Sequence, residues 1–254
     1  MTQAAASTIT GAAYGIYAAN TGTGATSVSS AAAISGASGG TGIYATNAGT
    51  GLTVMQAATG SITGSTNGIY AVNTGMGATS VTTAGTISET GTGGYGVYAI
   101  NGTPSLGAGT GLTVTQAATG SISGGAYGIF ASNRGTGATT VTTAGAIAGT
   151  TSGIDVYSGK ATTDVTVTQS AGSITGGSNG IFAQNWGSGD LTIDQTAGSI
   201  TGSSFGIYAG SYGTGATAIA TAGTVKATNT YGIKAYNAST ATDLTVTQTA
   251  GAIS

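Results

Sequence analysis

The chain has 254 residues, 4% of them charged, with a net charge of −2; 49 are glycine, one is proline, and cysteine and histidine are absent. The ten charges form no run and no basic patch, which argues against nucleic acid or anionic lipid as partners. Without cysteine there is no disulfide frame, and glycine without a strict three-residue period is not collagen.

In chain order, Met1–Thr10 has no basic segment followed by an apolar one, so no signal peptide is visible. No later stretch reaches the roughly 18 apolar residues of a membrane helix, so direct membrane insertion is not expected. The first phrase that recurs is Gly15–Asn20, Gly-Ile-Tyr-Ala-Ala-Asn. It returns at Gly42–Asn47, Gly68–Asn73, Gly96–Asn101, Gly128–Asn133 and Gly180–Asn185, with looser copies from Gly153, Gly206 and Gly232. A Thr-rich apolar run follows each copy, and then an isolated aliphatic: Ile9, Ile34, Ile62, Ile87, Ile122, Ile147, Ile174, Ile200, Val225 and Ile253 close the units. Their spacing is about 25 to 28 residues, with one step of about 35 between Ile87 and Ile122. A fixed period in this range marks a solenoid, here residues 1–254 as a single array of roughly nine units.

Each unit offers three short strands: the closing aliphatic with its neighbours, the Gly-Ile-aromatic-Ala phrase, and the Thr/Val run. Gly, Asn and Ser corners separate them, and no helical period appears. A given strand type returns only after a full unit, so like strands are expected to stack in parallel. The reading is all-β, a right-handed parallel β-helix of about nine rungs, the hand following from the crossover rule. At about 4.8 Å per rung the rod would be roughly 43 Å long.

Strand alternation assigns faces. Ile16, Ile43, Ile69, Val97, Ile129, Ile154, Ile181, Ile207 and Ile233 are expected inside, with a small residue two places on. The aromatic column Tyr17, Tyr44, Tyr70, Tyr98, Phe130, Phe182 and Tyr208 is expected outside, as is the variable place filled by Ala19, Thr46, Val72, Ile100 and Ser132. Asn20, Asn47, Asn73, Asn101, Asn133, Asn185 and Asn237 are expected to form a structural Asn ladder, at corners where Asn tolerates a left-handed backbone. The unit from Gly153 has Asp155 in the ring position and no Asn, which predicts an irregularity near Asp155–Asp164. Gly102–Thr110, with Pro104, is expected to protrude. Units ending in Leu/Val-Thr-Val-Thr-Gln run longer than those ending in Thr-Thr-Ala-Gly, which predicts a bulge or a wider corner.

Motifs that carry chemistry elsewhere have plainer readings here. Gly-x-Ser-x-Gly occurs around Ser38, Ser178 and Ser204, but the nucleophile elbow needs a histidine base. Gly91-x-Gly93-x-x-Gly96 is not followed by a helix and reads as a corner. Asp is too scarce for a calcium-binding roll, and Asp190 with Asp194 reads as a solvated edge. No catalytic residue, metal site or cofactor is expected. Two surfaces remain. The aromatic column either braces neighbouring rungs or offers a stripe for a glycan or a neighbouring rod. The Thr-x-Thr columns (Thr113/Thr115, Thr140/Thr142, Thr166/Thr168, Thr245/Thr247) would suit ice binding, although Met55, Asp194, Ala218 and Ala220 interrupt them.

The composite of Gly-Ile-Tyr-Ala-x-Asn-x-Gly-x-Gly, Leu-Thr-Val-Thr-Gln and Ala-Gly-Ser-Ile-Thr-Gly, seen with small changes at Ser173–Gly202, resembles the passenger repeats of large bacterial autotransporters. The likeness covers about residues 5–254. It implies a non-enzymatic, right-handed β-helix stalk at the bacterial cell surface or secreted from it, often serving adhesion to a host surface. That family's signal peptide and membrane barrel are not in this chain, which is therefore expected to be a segment of a longer protein. No binding residues carry over from the family. Self-association through open β-helix ends is also expected.

Overall fold

A computed structural model describes residues 2–3, 7–37, 39–103, 109–159, 161 and 163–254. The described residues form 29 strands in three parallel sheets, a β-solenoid of about nine turns. One sheet collects the Thr-rich strands, such as Leu112–Gln116 and Thr139–Thr143. A second collects the short Ile-centred strands, such as Ser121–Gly124. The third collects the repeated phrase, such as Tyr127–Asn133. The first two sheets have ten strands and the third has nine.

Equivalent residues lie directly over one another. Val81 pairs with Val114 and Val114 with Val141; Ile87 pairs with Ile122 and Ile122 with Ile147; Val97 pairs with Ile129 and Ile129 with Ile154. A slip of one residue would turn every apolar side chain outward, so the buried face itself holds this register. The corners continue the ladder: the amide of Thr74 donates to the Asn47 carbonyl at 2.8 Å and that of Arg134 to the Asn101 carbonyl at 2.7 Å.

The core is a stack of flat layers. Leu112, Val114, Ile122, Ile129 and Ala131, which the chain meets within one turn, are each at most 1% exposed. Burying one large aliphatic contributes about 1.5–3 kcal/mol, and each layer repeats it. Glycine before the inward Ile is a packing requirement. A Cβ on Gly128 would stand 2.4 Å from Ile147 Cγ2 and 2.6 Å from the Gly153 carbonyl oxygen. The Ile and aromatic sheets therefore meet too closely at this place for any larger residue.

The longer units contain a wider corner and no bulge. Gln116 pairs in unbroken register with Thr143, and the following corner spans residues 117–120 against 144–145 in the neighbouring turn. The Gln side chain turns into the extra space, where its Nε2 donates to the Gly120 carbonyl at 3.1 Å and to the Ala146 carbonyl at 3.0 Å. Gln56 bonds in the same way to Gly60 and Thr86. These glutamines are about 1% exposed, a buried polar column that alternation alone assigned no role. Within the protruding segment expected at Gly102–Thr110, residues 104–108 lie outside the described residues, as does Ser38 of the first Gly-x-Ser-x-Gly match. Near Asp155 the strand Ser152–Ser158 stays in register with both neighbours; the stretch from Ser158 to the next strand at Val165 is one residue longer than its counterparts in the adjacent turns, and residues 160 and 162 of the expected irregularity lie outside the described residues.

Candidate functional site

The outer face of the aromatic sheet gathers most of the rings. Its rings stack along the rod. Centroid separations are 5.1 Å for Tyr17–Tyr44, 4.7 Å for Tyr44–Tyr70, 5.0 Å for Tyr70–Tyr98 and 5.2 Å for Tyr98–Phe130, with planes within 9° of parallel. Rung spacing imposes this, because strands about 4.8 Å apart bring identical rings to near stacking distance. The ring faces are therefore turned toward one another, and edges and phenol oxygens face solvent. Burial raises the pKa of Tyr44, Tyr70 and Tyr98, so these phenols stay protonated at neutral pH.

The column is split at Asp155, which pairs with Phe130 on one side and Phe182 on the other. Burial raises its carboxyl to a pKa of about 7. Beyond it Phe182 stacks on Tyr208 at 4.5 Å, and Lys234 takes the next ring position, its Nζ 5.5 Å from the Tyr208 ring centre and 5.3 Å from that of Phe205. Tyr212 folds back at this end. It stacks on Trp186 at 4.3 Å and shares a 2.7 Å hydrogen bond between its hydroxyl and that of Tyr208. Burial, reinforced by that bond, pushes the Tyr208 phenol up to about 12.

A second ring column escaped the sequence reading. Tyr14, Tyr95, Tyr127, Phe205 and Tyr231 stand three residues before the first column's places. Simple alternation puts residues three apart on opposite faces, yet Tyr95 lies 4.8 Å from Tyr98 and 5.6 Å from Phe130, edge to face. Tyr95 also stacks on Tyr127 at 5.2 Å. Thr41, Asn67, Ser152 and Asn179 occupy the same register without a ring. The signal present in the sequence was the aromatic immediately before the Gly of each such phrase.

The side chains of the first five of these asparagines bond one another in sequence. Side-chain amides donate from Asn20 to Asn47, Asn47 to Asn73, Asn73 to Asn101 and Asn101 to Asn133, at 3.0 to 3.4 Å. The oxygens of Asn20, Asn73 and Asn133 also close a local turn, as where the Gly75 amide donates to Asn73 at 3.2 Å. These asparagines end extended strands, and positive φ is found at glycines such as Gly39, Gly172 and Gly198. Their side chains brace the corner, and in the corner after Asn101 the left-handed backbone falls on Gly102 and Gly109. Ser158 and Ser211 then interrupt the ladder. Asn185 accepts from Ser158, and Asn237 bonds Thr217 at 2.6 Å, so neither continues the amide-to-amide chain.

The other marked residues fall into place as architecture. Ser178 and Ser204 occupy equivalent corners one rung apart, their hydroxyls 3.5 Å from each other. Asp164 and Asp190 cap backbone amides: Asp190 N donates to Asp164 at 3.0 Å and Ala216 N to Asp190 at 2.8 Å. Thr113, Thr140 and Thr166 form one outward column and Thr115, Thr142 and Thr168 another, a grid three rungs deep; Thr245 and Thr247 pair with Ala218 and Ala220. Ile100, expected on the outside, is only 7% exposed, and Ser132, paired with it, 1%.

No protein-family model matches the chain, and no curated protein or solved structure gives a significant match. Function is therefore read from the chain's own surfaces.

Proposed function

We propose that this chain is a rigid, non-enzymatic stalk segment of a bacterial cell-surface protein of the autotransporter type, holding a binding region away from the cell. The observation that carries the reading is the unbroken residue-for-residue register of all three sheets over a continuous aliphatic core. Such an array bends only by straining every layer at once. The resemblance of the repeats to autotransporter passengers supplies the cellular setting, and adhesion to a host surface is the task proposed for the whole protein.

Spacing and adhesion separate this reading from others. Two further copies of residues 127–204, each adding three turns with equivalent junctions, are inserted into a chain displayed on a cell. Energy transfer between a dye in the membrane and one at the far end should report about 29 Å of added height, from six rungs of about 4.8 Å. Cell binding should be unchanged. Unchanged height would remove the stalk reading. Loss of adhesion on replacing Tyr44, Tyr70 and Tyr98 by Ser in a folded chain would assign the binding to the rod's own aromatic surface.

A further inference from the structure

The second aromatic column leaves one ring face uncovered. Tyr95 stacks on Tyr127 on one side; on the other its register partner is Asn67, and beyond that Thr41, so two successive rungs carry no ring. The place next to the Tyr95 ring, about one rung away, is therefore held by the smaller Asn67 side chain. The corner above it is unusually long. Residues 90–94 join the Ile and aromatic strands here, where residues 65–66 and 125–126 suffice in the turns on either side.

Open face and long corner together border a wide-mouthed cleft of about 560 Å³, lined by Tyr70, Tyr95, Tyr98, Asn67, Thr66 and the 91–94 turn, among others. That volume is typical of a small-molecule site. No charged residue lines it. The nearby Glu89 carboxylate is buried behind the corner and committed to the amides of Gly91 and Gly125. The Asn67 amide nitrogen donates weakly to Thr41 at 3.4 Å, and the side chain, only 8% exposed, lines the cleft. The Tyr70 and Tyr98 phenols flank the cleft as neutral donors, their ionisation opposed by burial.

The geometry points to a binding site for a neutral pyranose ring, stacked by its C–H face on Tyr95, with its hydroxyl groups bonded by Asn67, Tyr70 and Tyr98. An uncharged aromatic face ringed by uncharged donors and acceptors matches that chemistry. No cation lines the cleft, which disfavours phosphorylated or carboxylated ligands. The first column cannot serve this way, because its ring faces are spent on one another.

Saturation-transfer NMR of the 254-residue chain against methyl pyranosides of glucose, galactose, mannose and N-acetylglucosamine tests the site. At least one should receive saturation, strongest on the protons of one ring face. Asn67→Tyr is the decisive variant. It places a ring where Tyr95 and Tyr127 already show that this register accepts one, so the fold is kept while the Tyr95 face is covered. Binding should weaken at least tenfold in Asn67→Tyr and in Tyr95→Ala, persist in Tyr95→Phe, and be unchanged in Tyr231→Ala at the far end of the sheet. Saturation of no pyranoside, of adenosine alone, or equally of the native chain and folded Asn67→Tyr would overturn the assignment.

Discussion

Phe130 and Asp155 are register partners in adjacent strands, so a carboxyl group takes the place of the next ring in the stack. The carboxyl is partly buried, and its pKa is raised from 3.8 to about 7. Well below pH 3.8 it is neutral in both folded and unfolded chains. Between about pH 4 and 7 the unfolded chain ionises first, so stability falls as pH rises; above 7 the penalty is constant. A shift of this size corresponds to a loss on the order of 2–4 kcal/mol. Asp155→Asn should abolish the loss, and Asp155→Phe should rejoin the two ring stacks and exceed the native chain at pH 8. Denaturant midpoints at pH 4.5 and 8 decide it: equal pH dependence in native and Asp155→Asn chains would refute the assignment to this residue.

Gly128 faces Ile147 Cγ2 across the narrow edge where two sheets meet. Replacing a strand glycine by alanine ordinarily stabilises by limiting the unfolded chain. Here the new methyl would contact backbone carbonyls of two neighbouring strands as well as the Ile side chain, so overpacking dominates, and Gly128→Ala should cost about 1–3 kcal/mol. Gly93, whose added methyl meets nothing within 4 Å, provides the contrast. Gly93→Ala should be neutral or slightly stabilising in the same unfolding experiment.

Asn101 is fully buried and joined to three partners: it accepts from Asn73 and Thr79 and donates to Asn133. Asn101→Ala would strand these groups in the interior, at about 1–3 kcal/mol for each left unsatisfied. Asn101→Ser should cost less, since Ser158 holds the same place and bonds Asn185. Asn237, partly exposed in the last turn, should tolerate alanine best. Equal losses at positions 101 and 237 would show that the ladder is incidental to stability.

At the last turn, Leu244 and Val246 are each 47% exposed and Ile253 38%. Their strands have parallel partners on one side only. Unpaired parallel edges recruit further strands, so the isolated 254-residue chain should associate end to end as its concentration rises. Leu244→Lys with Val246→Lys should suppress this. Sedimentation velocity that finds only monomer over a hundredfold concentration range would count against it.

The stacking of like strands was legible because a 25-to-28-residue period leaves few other ways to bury a lone Ile such as Ile122 in every unit. Inward Ile129 and outward Phe130 followed from strand alternation, and the Asn ladder as far as Asn133 from repetition. The second ring column was not legible. Tyr95 and Tyr98 are three residues apart, and their meeting on one surface depends on how the strand enters the corner. The buried glutamines looked like ordinary strand ends, because the space they fill is created by the corner that follows.

The order of residues by itself determined the architecture: identical short strands, spaced by one turn, have the same apolar face to hide and can hide it only on copies of themselves. What the three-dimensional arrangement alone decided was which surfaces remain available. Rung spacing turned the rings of Tyr17 to Phe130 face against face and left their edges to solvent, whereas a missing ring at Asn67 and a five-residue corner left a cleft beside Tyr95. Both outcomes depend on distances between side chains remote in sequence, which periodicity does not encode.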